Sequence, residues 1–149
     1  MSQTEEICNP ELAEEFIARI FATLYESWPV RIGLDAQKIT GIDYDVELLC
    51  GIPSVPVPRE WSICSELFNW LKDEGYIKTD GFRGNVWTLG RTQLTHKAIE
   101  VLKKVPDPLN PEKKRSLIDA IVDSTKDSGK QVRNQVIKLA MTSLYQAIN

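Results

Sequence analysis

Between Trp61 and Leu102 the chain changes its periodicity twice, and this run narrows the available folds more than any other stretch. Cys64, Leu67, Phe68 and Leu71 recur at the three- and four-residue spacing of one helix face, flanked by Trp61, Ile63 and Trp70. The spacing predicts a helix over Trp61–Glu74 that closes in Glu74-Gly75-Tyr76-Ile77. A short polar stretch with two glycines follows, Thr79–Asn85, and then a β-prone segment, Val86–Leu94. Leu94-Thr95 opens a further helix carrying Ala98, Ile99, Val101 and Leu102, with Thr95 placed to cap it. Helix, strand, hairpin, strand and helix in this order predict a mainly α chain with a small β-hairpin, an α+β class.

Upstream, Asn9-Pro10-Glu11 has the chemistry of a helix start. Asn caps, Pro fits the first turn, and Glu suits the positive end of the helix dipole. Leu12, Phe16, Ile17, Ile20, Phe21, Leu24, Tyr25 and Trp28 then follow helical spacing up to Pro29, with Glu11, Glu14 and Glu15 expected on a solvated face. In residues 30–60, Ile42, Tyr44, Val46 and Leu48 alternate as a strand would, yet Asp43 and Asp45 also suit a helix start. A short second helix through Val46-Glu47-Leu48-Leu49 is the reading preferred here. Gly51–Pro58 holds three prolines and is expected to be an extended loop.

Pro106–Pro111 reads as a stiff connector that divides a domain over residues 10–105 from a helical extension over 106–149. Leu117, Ile121, Val132, Val136, Leu139 and Leu144 form a thin apolar stripe there, interrupted near Gly129. Such a stripe needs a partner surface, and self-association into a homodimer is the expectation.

Of 149 residues, 42% are apolar and 26% charged, which suits a globular domain with its own core. No apolar run approaches the roughly 20 residues of a membrane span, so no membrane contact is expected. The polar, acidic Met1–Glu6 does not resemble a secretory signal, and Cys8, Cys50 and Cys64 are too scattered for a disulfide framework or zinc knuckle. A cytoplasmic chain with reduced thiols is expected. The net charge of −3 is uneven: residues 1–50 carry −7, while residues 51–105 and 106–149 carry +2 each. The middle segment therefore permits nucleic-acid contact without demanding it.

Little in the sequence points to catalysis. His96 is the one histidine, without a ligand cluster or triad partners, and is expected on a solvated helix surface. Gly81, Gly84 and Gly90 fit neither a P-loop nor a dinucleotide fingerprint and read as turn and bulge residues. The acid pairs Glu5/Glu6, Glu14/Glu15 and Asp73/Glu74 diverge on a helix, and Pro53-Ser54-Val55-Pro56 reads as loop. No enzyme activity, metal or cofactor is expected.

The stretch Leu67–Ile77, with its acidic-Gly-Tyr-Ile turn, followed by Leu94-Thr95-His96-Lys97-Ala98-Ile99-Glu100-Val101-Leu102, resembles the winged helix-turn-helix superfamily over about residues 10–105. Ala98 stands where that family usually has Gly, a replacement a helix accepts. The resemblance implies a winged-helix domain followed by C-terminal helices, with Trp61–Glu74 as the recognition helix and Thr79–Asn85 as the wing. Double-stranded DNA would then be the partner of a transcriptional regulator. On the outward face, Ser62, Ser65 and Asn69 would meet base edges, while Arg59 and Lys72 would hold phosphates. Lys78, Arg83 and Arg91 would serve from the wing, with Arg83 best placed for the backbone or minor groove. Glu66 and Asp73 oppose this by repelling phosphate. The alternative is a protein-interaction or assembly module on the same scaffold without nucleic acid, with Trp70 and Phe82 as docking aromatics.

Overall fold

A computed structural model describes residues 9–44, 56–104, 112, 115–126, 138, 139, 142 and 146. Helix α1 (Asn9–Ser27) leads into strand β1 (Ile32–Asp35) and the short helix α2 (Ala36–Thr40). Helix α3 (Arg59–Asp73) precedes strands β2 (Ile77–Thr79) and β3 (Thr88–Leu94), and helices α4 (His96–Lys104) and α5 (Leu117–Lys126) follow. The fold is mainly helical with a small antiparallel sheet of three strands in the order β1-β3-β2.

Helix α1 is covered nearly all round. Glu15, Phe16, Ile17 and Ala18 are consecutive and all buried, and four residues exceed one helical turn. Ile20, Phe21 and Leu24 are fully enclosed. Helices α3 and α5 and strand β3 all pack against α1. The expectation of a solvated acidic face therefore needs correcting. Glu15 is buried, with Oε1 accepting from Arg19 Nη2 at 2.9 Å, while Arg19 Nη1 donates to the Ile39 carbonyl at 2.8 Å and ties α1 to α2. One oxygen of Glu14 is buried as well.

The motif run folds as its periodicity predicts, within about two residues at each boundary. Helix α3 stops in a Schellman turn: Gly75 N–H donates to the Lys72 carbonyl at 3.1 Å and Tyr76 N–H to the Leu71 carbonyl at 2.9 Å. The turn requires a left-handed residue, and Gly75 supplies it with φ of 83°. Thr95 caps α4 as expected, its hydroxyl accepting from Ala98 N–H at 3.2 Å. The same hydroxyl donates to the Gly75 carbonyl at 2.8 Å, and Thr95 N–H donates to the Tyr76 carbonyl at 3.1 Å. The end of α3 and the start of α4 are thus joined directly.

Residues 30–44 depart from the expectation. Strand β1 pairs with β3, making three strands where a hairpin was expected. A short helix, α2, also forms here, where none was expected. Asp35 caps α2 by accepting from Lys38 N–H at 2.7 Å, and Gly41 closes it with φ of 73°. Residues 45–55, including the expected helix and most of the proline loop, lie outside the described residues.

The stripe of the C-terminal segment also needs correcting. Leu117, Ile118 and Ile121 are fully buried in the same hydrophobic core as α1, α3 and α4, so Leu117 and Ile121 pack into the chain's own interior. Their partner surface is α1. Leu139 is exposed, while Val132, Val136 and Leu144 lie outside the described residues. Ile121→Ala is expected to lower stability by about 2–5 kcal/mol, as a buried truncation does. Denaturant unfolding at two protein concentrations checks this. A loss that grows as the concentration rises would return Ile121 to an intermolecular contact.

Candidate functional site

The outward surface of α3 and the adjoining hairpin carry the residues singled out from the sequence, and they divide into groups. Ser62 and Lys72 are exposed, and Asn69 is half-buried. Ser65 is not on this surface. It is buried, and its Oγ donates to the Val86 carbonyl at 2.7 Å, so its hydroxyl holds the hairpin base and cannot meet a base edge. Helical spacing alone gave no sign of this, because the partner lies on another element.

Arg59 opens α3 and donates from Nη1 to Asn9 Oδ1 at 3.4 Å, bridging the starts of α3 and α1. Lys78 on β2 sits opposite Gln93 on β3, so Arg91, two residues along, shares its face of the sheet, and both are exposed. Arg83 belongs to the turn between β2 and β3. That turn is built by Arg83 N–H donating to the Thr88 carbonyl at 2.9 Å and Gly90 N–H donating to the Gly81 carbonyl at 2.7 Å. Gly90 lets the turn close tightly: a Cβ there would stand 2.8 Å from Arg83 Nε and 3.2 Å from the Gly81 carbonyl oxygen, so the Arg83 side chain would have to shift. Arg83 therefore lies back across the hairpin while remaining exposed. Lys78 and Arg91 thus share one face of β2–β3 while Arg83 lies over Gly90 on the other, so the basic residues are not gathered on one side. From Arg59 to Arg91 the chain holds five basic and five acidic residues, so this surface carries no net attraction for phosphate.

A different feature runs along α3. Pro10, Ala13 and Ile17 of α1 and Ile63, Leu67 and Trp70 of α3 line an apolar groove of about 710 Å³, with Arg59 and Glu66 among its polar residues. Trp70 stands 41% exposed beside it, braced edge-on against Tyr76 at 5.5 Å between ring centroids. Phe82, by contrast, is half-buried and packs at 6.5 Å from Phe68, which makes it the hairpin's anchor to α3. The sequence did carry a signal for the groove. Ile63 and Trp70 lie seven residues apart, off the Cys64–Leu71 core face, so α3 has apolar side chains on two faces.

Among the described residues, three titratable groups stand out by their surroundings. Cys64 is fully buried, and burial pushes its thiol up to about 12, with the Asp35 carboxylate adding to the rise. At neutral pH it is a packed, inert thiol. His96 is exposed, with Nε2 3.8 Å from Glu100 Oε2. The Lys104 ammonium, bonded to Glu100, holds that carboxyl below its ordinary value. Among the described residues no group of three His, Cys, Asp or Glu side chains could hold a metal ion, and no helix is long and apolar enough to cross a membrane. A second cleft, of about 540 Å³, lies among α1, α4 and α5, where Arg115 pairs with Asp123, Lys126 with Glu26 at 3.9 Å, Lys103 lies over the Trp28 ring at 5.2 Å, and Asp119 accepts from Ser116. No protein-family model, curated protein or solved structure gives a match to this chain.

Glu14 lies beside the groove on α1, one turn from Pro10. Burial raises its pKa above the ordinary 4.5, Lys138 partly opposes the rise, and Glu11 adds to it. Its Oε2 meets no hydrogen-bond partner among the described residues. A raised carboxyl contributes most to folding when protonated, below the unfolded value of 4.5, and that contribution is lost as pH rises through the folded value. Glu14→Gln is therefore expected to raise Tm at pH 7, with the gain vanishing below about pH 4.5. Equal Tm values at pH 7, followed over a pH series, would show that this carboxyl is solvated.

Proposed function

We propose that the chain is a non-enzymatic winged-helix module that docks another protein surface along α3, and that it does not read DNA with that helix. The order of a third helix, a two-stranded hairpin and a capped fourth helix supports the winged-helix reading, as does the meeting of the Gly-Tyr and Leu-Thr motifs at Thr95. The observation that carries the docking reading is the apolar α1–α3 groove with Trp70 open at its side. A recognition helix must present polar and basic side chains to a groove of the duplex. Here the outward surface of α3 offers Ile63 and Trp70 with Glu66, Ser65 is turned inward, and the charge is balanced. Burying an aromatic such as Trp70 against an apolar partner is favourable, and burying it against phosphate is not.

The DNA reading keeps one specific support, the exposed basic group Lys78, Arg83 and Arg91 on the hairpin. Fluorescence anisotropy with a random-sequence duplex, at low and then physiological salt, separates the two. The docking reading predicts no saturable binding at physiological salt, and no change on combining Lys72→Ala with Arg83→Ala. Salt-dependent binding whose log–log slope falls by roughly two in that double variant would overturn it.

A further inference from the structure

We infer that the outward face of the sheet binds an acidic peptide in extended conformation, held by Lys78 and Arg91. Strand β3 turns Leu89, Thr92 and Leu94 into the core and leaves Arg91 and Gln93 facing out. Lys78 stands opposite Gln93, which makes Arg91 its diagonal neighbour on the same face, about 7–8 Å away. Both side chains are exposed, and neither has a partner among the described residues. Asp80, just after β2, is matched by Arg31, whose Nη1 lies 3.4 Å from Asp80 Oδ1. Gln93 holds that arginine in place. With its amide oxygen turned to Arg31 it accepts from Nε at 3.2 Å, and its amide nitrogen donates to the Pro29 carbonyl at 3.1 Å. The Arg31–Asp80 pair is neutral, so Lys78 and Arg91 remain as two uncompensated positive charges.

Their spacing and charge select the ligand. In an extended chain, side chains two residues apart share a face and lie about 6.6–6.8 Å apart, close to the Lys78–Arg91 diagonal. A peptide with carboxylates at alternate positions therefore meets both cations at once. Gly33 leaves room for its main chain. Ile32 and Leu34 on either side of Gly33 pack toward the core, so the exposed Gly33 faces outward and β1 sets no side chain there. Nucleic acid fits this face less well. None of the three strands carries an aromatic residue on which a base could stack, and two cations are few for a phosphate backbone. The face is separate from the α1–α3 groove, so the two surfaces stand or fall independently.

Fluorescence anisotropy on the full chain, with a fluorescein-labelled peptide of alternating Glu and Ser, tests the inference. Wild type is expected to bind it saturably at low salt and more weakly as salt rises, and to ignore a peptide of the same length with Gln for Glu. Lys78→Ala and Arg91→Ala should each weaken binding roughly threefold, the loss of one exposed ion pair, and together roughly tenfold. Lys72→Ala, which removes a charge from α3, should leave it unchanged, separating a local site from net charge. Circular dichroism checks that each variant is folded. No saturable binding at low salt overturns the inference, as does a double variant that binds like wild type or a Lys72→Ala loss as large as that of Lys78→Ala. Tighter binding of labelled oligothymidine than of the acidic peptide also overturns it, assigning the face to nucleic acid.

Discussion

The enclosure of α1 is the constraint on which the remaining structure depends. Phe21, Ile20 and Leu24 are fully buried, and each such side chain favours folding by about 1.5–3 kcal/mol relative to exposure. A helix buried on one face could be covered by one neighbour. Because residues 15–18 are all buried, α1 needs several, and α3, β3 and α5 take those places. The acidic side chains are fitted around this demand: Glu15 is kept inside by Arg19, which also reaches the Ile39 carbonyl of α2. Lateral burial of α1 thus fixes where α3 can lie, and with it the groove between them.

A second junction orients the hairpin. The Thr95 hydroxyl receives the Ala98 amide in the first turn of α4 and donates to the carbonyl of the glycine that ends α3. One side chain therefore satisfies polar groups at two helix ends that would otherwise be left open. Tyr76, the next residue, stands edge-on to Phe21 at 6.4 Å and to Trp70 at 5.5 Å, so the same turn touches both the core and the groove.

What was legible in the sequence follows the range of the interactions involved. The α3 turn, the hairpin and the α4 cap are local, and their residues announce them. Helix α2 is marked in the same local way, by Asp35 before it and Gly41 after it. Strand β1 had no such signal: it is four residues with a glycine and an irregular register between Ile32 and Leu34, and it is a strand because β3 pairs with it. Ser65 was misjudged for the same reason, since its partner, the Val86 carbonyl, sits across a turn of the chain. The thin stripe at Leu117 and Ile121 correctly signalled the need for a partner, but spacing cannot distinguish α1 of the same chain from a second molecule. The groove was half-visible, in the second apolar face of α3, and only the placement of Ala13 and Ile17 completed it.

Helices α1, α3 and α5 form one cooperative unit, and the α1–α3 groove is built on its edge. Native-state hydrogen exchange across a denaturant series addresses this most directly. Amides of Ile20 to Leu24 in α1, Phe68 to Leu71 in α3 and Ala120 to Val122 in α5 are predicted to exchange with a common free energy equal to that of global unfolding. Exchange of the α5 amides at a much lower free energy, while α1 and α3 remain protected, would show that α5 is an appendage and that α1 does not need it, contradicting the account.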